Sequence, residues 1–303
     1  MDLESKIILI SGPTASGKSS FAIKFAKKIN GEIINADSMQ VYKELKILSA
    51  RPSPKNYQKI RHHLYGFQSV KKNFSTGDWL KLAVKKIKEV RNRKKIPIFV
   101  GGTGLYFKAL TDGLVNIPNI PIQSRNKIKT LHKTLGQKKF YKKLLKIDPE
   151  SKHKINSTDA QRSIRAYEVK LFTKKSLHQW FKDTKSYFQE DDFYKIYIDY
   201  PREDLIKQIE LRVEQMFKNG AVSEVKRFIK LKVRKDNSVN KAIGIHEIKQ
   251  QLQDHNELSD VKEKISIKTR QYAKRQTTWA RGNMSNWFKL PPQDLSKFLK
   301  KIK

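Results

Sequence analysis

Residues 12–19 read Gly-Pro-Thr-Ala-Ser-Gly-Lys-Ser and satisfy every fixed position of the spacing G-x-x-x-x-G-K-[ST]. An apolar run, Ile7-Ile8-Leu9-Ile10, precedes them, and apolar residues at helical spacing (Phe21, Ala22, Phe25, Ala26, Ile29) follow. Strand, loop and helix in this succession restrict the chain to folds that present a curled backbone at a helix N-terminus. There the amide N–H groups converge on an anion. Gly12, Pro13, Thr14, Ala15, Ser16 and Gly17 form the curl, Lys18 adds a point charge, and Ser19 offers a hydroxyl to Mg²⁺. The motif predicts a bound phosphate group and leaves open the molecule that carries it.

Alternation continues beyond the loop. Glu32-Ile33-Ile34-Asn35-Ala36 and Pro97-Ile98-Phe99-Val100 read as strands, separated by a helix over about 79–93 with Leu82, Ala83, Ile87 and Val90 on one face. Strands alternating with helices imply a parallel sheet covered by helices, with ligands at the carboxyl ends of the strands. The proline-rich run Asn116–Pro121 breaks this pattern. Residues 122–185 read as basic helices, one carrying Phe140, Tyr141, Leu144, Leu145 and Ile147 on its apolar face. The alternating segment Lys195–Ile198 and the turn Asp199-Tyr200-Pro201-Arg202 mark a return. Helices are expected from Glu203 onward, including 205–218, 223–231 and 262–281, with a frayed Lys-rich tail. The expected fold is α/β: a parallel-sheet core of the P-loop NTPase type (residues 1–115), a helical insertion (116–195), and core completion with C-terminal helices (196–303).

Lys and Arg number 65 against 29 Asp and Glu, a formal net charge of +36. Such an excess favours a polyanionic partner, because each phosphate neutralised releases condensed counterions. Compositional drift toward Lys, Ile and Asn is the competing source of the excess. No apolar run approaches the ~20 residues of a membrane span. Cysteine is absent, which excludes disulfides and thiolate metal sites. The acidic N-terminus leads directly into a strand, and no secretory signal is expected. A cytoplasmic protein without a membrane partner is expected.

Two further strand ends carry polar groups. Asp37, in Asn35-Ala36-Asp37-Ser38-Met39-Gln40-Val41-Tyr42, would face the phosphate-loop ligand as a Mg²⁺ ligand or general base, or else cap a helix. Thr103, in Gly101-Gly102-Thr103-Gly104-Leu105-Tyr106, would point into the same cleft or cap a tight turn. The pair His62-His63 suggests a metal site, but consecutive side chains diverge and no third ligand is evident, so that reading is rejected.

In this order and spacing, these segments resemble the tRNA dimethylallyltransferase family. Further matches are His62-His63-Leu64 before Phe74-Ser75, the run Asp159–Val169, Ala242-Ile243-Gly244, and the run Thr269–Trp279; together they span about residues 5–290. The resemblance implies dimethylallyl diphosphate, rather than ATP, as the phosphate-bearing substrate. The acceptor it implies is N6 of the adenosine 3′-adjacent to the anticodon, in tRNAs reading codons that begin with U. Asp37 matches the family's catalytic aspartate, Thr103 the threonine that hydrogen-bonds the leaving group, and Arg212 an arginine that contacts diphosphate. Lys18 and Mg²⁺ at Ser19 would stabilise the departing charge. By the same resemblance Asp37, Ser38, Met39, Gln40 and Thr103, with Gln161, Arg162, Ser163, Ile164 and Arg165, read the flipped adenine and its neighbours in the anticodon stem-loop. Arg125 is a further tRNA contact, and Lys274, Arg275, Gln276 and Arg281 contact phosphates, with Trp279 either stacking or core.

Without the resemblance, Arg212 is an ordinary helix-surface arginine and both basic helices are solvated faces. Ile245-His246 departs from the family's Tyr followed by Lys or Arg and leaves the role of 242–247 open. The competing classes are a P-loop ATPase or small-molecule kinase and a nucleotide-regulated RNA-binding protein. The kinase lacks an acid after strand 97–100, and RNA binding alone gives no reason for Asp37 and Thr103 at strand ends. A monomer is expected, since wrapping a tRNA needs both core and insertion free.

Overall fold

The computed structural model describes residues 3–254 and 257–302. The chain forms two compact units, one from the described residues of 1–111 and 188–303, the other from 112–187. In the first unit a six-stranded sheet has the order β3-β2-β4-β1-β5-β6, with β1 Ile7–Ser11, β2 Gly31–Asn35, β3 His62–His63, β4 Ile96–Gly101, β5 Phe193–Ile198 and β6 Phe288–Leu290. Every pairing is parallel; the register sets Leu9 against Phe99 and Lys195, and Ile34 against Phe99 and His63. β1, β2 and β4 are buried along their whole length. That explains why they read as continuous apolar runs rather than alternating ones.

Helices cover both faces. On one, α1 (Lys18–Lys28) sets Phe21 and Phe25 over Ile8, Ile10, Ile98 and Val100. On the other, α2 (Thr76–Asn92) and α3 (Gly104–Thr111) place Trp79 edge-on to Phe99 and stacked 4.2 Å from Tyr106. α2 starts three residues earlier than the sequence periodicity suggests, because Ser75 and Asp78 close a capping box. A second core joins residues 41–48 to the C-terminal helices α7 (Arg202–Lys218), α8 (Ala221–Lys230), α9 (Ile245–Asp254) and α10 (Leu258–Asn283), counting the second unit's helices as α4 to α6. Ile245 is buried in this core, so an apolar side chain fills that position.

The second unit is helical: α4 (Ile122–Ile147, kinked at Gly136), α5 (Ala160–Thr173) and α6 (Leu177–Lys182) pack around Ile128, Phe140, Leu144 and Tyr167. Phe140 and Leu144 from the expected apolar face are fully buried.

Three expectations change. The insertion spans 112–187 rather than 116–195, since β5 begins at Phe193 and hydrogen-bonds into the sheet. The short edge strands β3 and β6 were not anticipated; with two and three residues they carry no periodicity to read. The Lys-rich tail is not frayed but forms α11 (Leu295–Lys301), anchored by Phe298 at 6.1 and 6.0 Å from Phe21 and Phe25. Phe298, with Leu295 and Leu299, packs against the core under α1, which holds the basic tail in place.

Candidate active site

The turn between β1 and α1 puts Ala15 (φ 65°) and Gly17 (φ 73°) in the left-handed region. This curl leaves the first amide N–H groups of α1 without helical partners, and no acidic residue occupies the first turn. The cleft in front of them, about 120 Å³, is bordered by Thr14, Lys18, Ser19, Asp37, Gln40 and Arg212. Lys18 Nζ donates to the Pro13 carbonyl at 2.9 Å. Burial lowers its pKa to about 8; the Asp37 carboxylate opposes that shift and the Arg212 guanidinium adds to it. Arg212 reaches the loop from α7 and donates to Thr14 Oγ1 at 2.7 Å. Two cations and a ring of amide donors thus confront one carboxylate, a surplus of positive charge suited to a polyphosphate.

Asp37 caps no helix. Residues 38–41 form turns, and its Oδ1 accepts from the Met39 N–H at 2.9 Å and the Gln40 N–H at 3.4 Å. Burial above all, and the Asp37 charge behind it, push up the pKa values of the Tyr106 and Tyr272 hydroxyls, so neutral phenols flank the carboxylate. Gln40 is tied down through Nε2, which donates to the Ser49 carbonyl at 3.0 Å.

Thr103 does not share the cleft of Asp37. It borders a second cavity of about 230 Å³ with Ser38, Leu105, Tyr197, Tyr272 and Trp279. Its Oγ1 accepts from the Ser38 N–H at 2.9 Å, so residues 37 and 38 turn one side chain toward each cavity. The crest of the sheet therefore separates a charged chamber from an aromatic one.

Other expected positions sort by exposure. Lys274, Arg275 and Arg281 are exposed on α10, with Arg275 also bordering the aromatic cavity. Gln276 is no phosphate contact: its Oε1 accepts from the Thr14 N–H and its Nε2 donates to the Gly102 carbonyl, both at 2.8 Å. Trp279 packs its ring against Gly104, where a Cβ would lie 2.3 Å from the ring. In the second unit Gln161 and Arg162 are exposed, while Arg165 and Arg125 are half-buried and close enough for the Arg125 charge to act on Arg165. Ser163 is fully buried, its hydroxyl donating to the Asp159 carbonyl at 2.7 Å, and Ile164 packs on the unit's core. Ser163 is therefore a packing residue and not a nucleic-acid contact.

The histidine pair holds no metal geometry. His63 Nε2 lies 2.7 Å from Glu32, which also pairs with Arg93, and His62 stacks on Tyr57 at 3.7 Å. Among the described residues no cluster of three His, Cys, Asp or Glu side chains could hold a metal ion.

Sequence reasoning missed Glu224. Buried on α8, it accepts from the consecutive N–H groups of Lys46, Ile47 and Leu48 and so fixes the loop that carries Ser49 and Ala50 to the cleft. Its only local signature is an acid in a helical pattern, which normally reads as solvent-facing.

Residues 40–283 match the model of a family described as IPP transferase. Over 303 residues the chain is 59% identical to a tRNA dimethylallyltransferase of Pelagibacter ubique strain HTCC1062, covering 100% of this chain and 97% of that protein. That alignment also takes in the phosphate loop and Asp37, which precede the family match. A Rickettsia massiliae (strain Mtu5) protein of the same name is 42% identical over 302 residues, covering 99% and 83% of the two chains. Among solved structures, a eukaryotic dimethylallyltransferase acting on tRNA superposes with a TM-score of 0.82 at 28% identity, covering 97% of this chain and 75% of that one. The tRNA isopentenylpyrophosphate transferase of Bacillus halodurans gives 0.70 at 28% identity, covering 98% and 95%. Parallel sheet, phosphate loop and matches along the chain agree, and on that ground this chain belongs to the IPP transferase family, enzymes on a P-loop NTPase-like core.

Proposed function

We propose that this enzyme transfers the dimethylallyl group of dimethylallyl diphosphate to N6 of the adenosine 3′-adjacent to the anticodon, in tRNAs reading codons that begin with U. The observation that carries the reading is the crest itself. A phosphate loop with Lys18 and Arg212 faces Asp37 in one chamber, and Ser38 and Thr103 open onto an aromatic chamber beside it.

The diphosphate lies against the N-terminus of α1, and the flipped adenine enters the aromatic cavity; leaving its stack costs a few kcal/mol. The adenine amine is a weak nucleophile, so Asp37 takes its proton as the N6–carbon bond forms and the allylic carbon–oxygen bond breaks. Lys18, Arg212 and the loop amides receive the growing negative charge. The Thr103 hydroxyl, oriented by the Ser38 N–H on the aromatic side of the crest, would meet the bridging oxygen of the leaving group only where the substrate passes from one cavity to the other.

Ser19 borders this cleft and offers a hydroxyl oxygen, a donor that suits Mg²⁺ shared with a diphosphate. When bound, Mg²⁺ would neutralise charge on the leaving diphosphate. The cationic α4 and α5 in the second unit, and Lys274, Arg275 and Arg281 on α10, contribute phosphate contacts to the anticodon stem-loop. No helix among the described residues is long and apolar enough to cross a membrane. An enzyme that acts on tRNA is placed in the cytoplasm, and a monomer is the form we propose for it.

Incubation with bulk tRNA, Mg²⁺ and labelled dimethylallyl diphosphate, with ATP in a parallel reaction, tests the reading. Label on tRNA adenosine is expected. ATP turnover without label transfer would overturn the reading in favour of a kinase or ATPase, and tRNA binding without either reaction would leave a binding protein.

A further inference from the structure

We infer that Asn35 is a positioning residue for Asp37. The inference rests on the reading of Asp37 as general base.

Asn35 is fully buried at the C-terminal end of β2 and spends its amide on residue 37. Its Oδ1 accepts from the Asp37 N–H at 2.9 Å, and its Nδ2 donates to the Asp37 carbonyl at 2.9 Å. Both backbone polar groups of one residue are thereby held by a single side chain. The second proton of Nδ2 goes to the Leu64 carbonyl at 3.0 Å. The Asn35 carbonyl is itself fixed, accepting from Trp79 Nε1 at 2.9 Å within a stacked and fully buried aromatic layer.

The residue type follows from this geometry. Asn alone among the short side chains offers an acceptor and two donors from one planar group. Aspartate would place lone pairs against two carbonyls, and serine, with a single hydroxyl proton, could donate to only one of them. Leu64 adds a second sign of constraint. It is buried with φ at 61°, a conformation that costs a bulky residue of order 1–3 kcal/mol. That turn directs its carbonyl at Asn35, and the segment beyond it is stitched to the Asp37 loop by Gly66 N–H to Gln40 O and Gln68 N–H to Val41 O, each 2.9 Å. The side chain of Asp37 is held by one oxygen, through Met39 and Gln40. With the backbone of residue 37 clamped as well, the carboxylate keeps one bearing toward the cleft. Displacing a reacting group by 1 Å costs about a hundredfold in rate.

The test compares Asn35→Asp, Asn35→Ala and the milder Asn35→Ser, each alone and combined with Asp37→Ala. Steady-state kcat and KM for dimethylallyl diphosphate, single-turnover rates at excess enzyme, melting temperature and tRNA Kd are measured for all. In folded Asn35→Asp and Asn35→Ala, kcat should fall about tenfold or more, while KM for dimethylallyl diphosphate and tRNA Kd change less than about threefold. Asn35→Ser, which retains one polar contact, should lie between these and the parent and serves if the other two do not fold. In the Asp37→Ala background the same substitutions should cost less than about twofold, because the group they position is gone. A parental kcat in any folded Asn35 variant except Asn35→Ser, or a penalty that persists undiminished beside Asp37→Ala, would overturn the inference. If only Asn35→Ser folds, a parental kcat there overturns it too. An Asp37→Ala protein with near-parental turnover overturns the general-base reading and this inference together. A dead Asp37→Ala beside an active Asn35→Asp overturns this inference alone.

Discussion

Gln276, on α10, accepts a hydrogen bond from the Thr14 N–H at 2.8 Å, so a helix 262 residues further along the chain sets the shape of the phosphate loop. The same amide donates to the Gly102 carbonyl and joins that loop to the turn that carries Thr103. Gln276→Glu keeps the acceptor but sets a carboxylate against a carbonyl and beside the bound diphosphate. KM for dimethylallyl diphosphate should rise about tenfold, with tRNA Kd shifted less than about threefold. Filter binding and steady-state kinetics check this; a tRNA-binding defect with unchanged KM would return Gln276 to the role of a phosphate contact.

Replacing Asp37 by Asn leaves the size of the side chain and removes the proton acceptor. Turnover is expected to drop by about 10²–10⁴ while tRNA affinity stays nearly intact. Single-turnover assays with excess enzyme measure the chemical step directly, and a loss below about fivefold would assign the proton to another base.

Lys18 titrates near pH 8 in the free enzyme because burial disfavours its charge. The kcat/KM for dimethylallyl diphosphate should therefore decline as pH rises through about 8, while the bound diphosphate keeps the ammonium charged and holds kcat level to higher pH. Stability should move the other way. The unfolded lysine keeps its proton up to about pH 10.5, so between 8 and 10.5 the unfolded chain binds more protons and the contribution of this group to stability increases with pH. Urea unfolding of the parent and Lys18→Met at pH 7 and pH 9.5 reads this out: the variant should be more stable at pH 7, by a margin that shrinks at pH 9.5. A pH-independent margin would contradict the assignment.

Glu224 serves three consecutive amides from a buried position. Glu224→Ala leaves those donors unpaired and should destabilise the fold by about 2–4 kcal/mol. Glu224→Gln, which keeps one acceptor, should recover about half of that loss. Denaturant melts of both variants decide the matter; a Glu224→Gln protein as stable as the parent would show that the charge carries nothing.

Gly101 closes β4 so near its neighbour that a Cβ there would lie 2.0 Å from the Ala36 carbonyl oxygen. Gly101→Ala must part β2 from β4 one residue before Asp37. We expect a loss of at least about 2 kcal/mol in stability and a fall in kcat. A variant with parental melting temperature would show that the crest yields to a methyl group.

How much of this was legible follows residue by residue. The phosphate loop, Asp37 and Thr103 declare themselves because each closes a strand whose apolar run is local in sequence. Arg212, Gln276 and Glu224 are different: each sits in an amphipathic helix where polar residues normally face water, and only the path of the chain brings them to loops far away. Ser163 misled for the converse reason, since a polar residue inside a basic helix reads as exposed and is in fact buried against the Asp159 carbonyl.

The amino-acid sequence by itself determined the strand–loop–helix unit, the parallel sense of the central strands and the positions of the reactive groups at their ends. These depend on apolar periodicity and glycine placement, which act within a few residues. Tertiary structure alone decided the short edge strands β3 and β6, the docking of α11 through Phe298, and the separation of Asp37 and Thr103 into adjoining chambers. Each of those depends on partners distant in sequence, and short segments hold their shape only through the surfaces they bury and the backbone groups those partners satisfy.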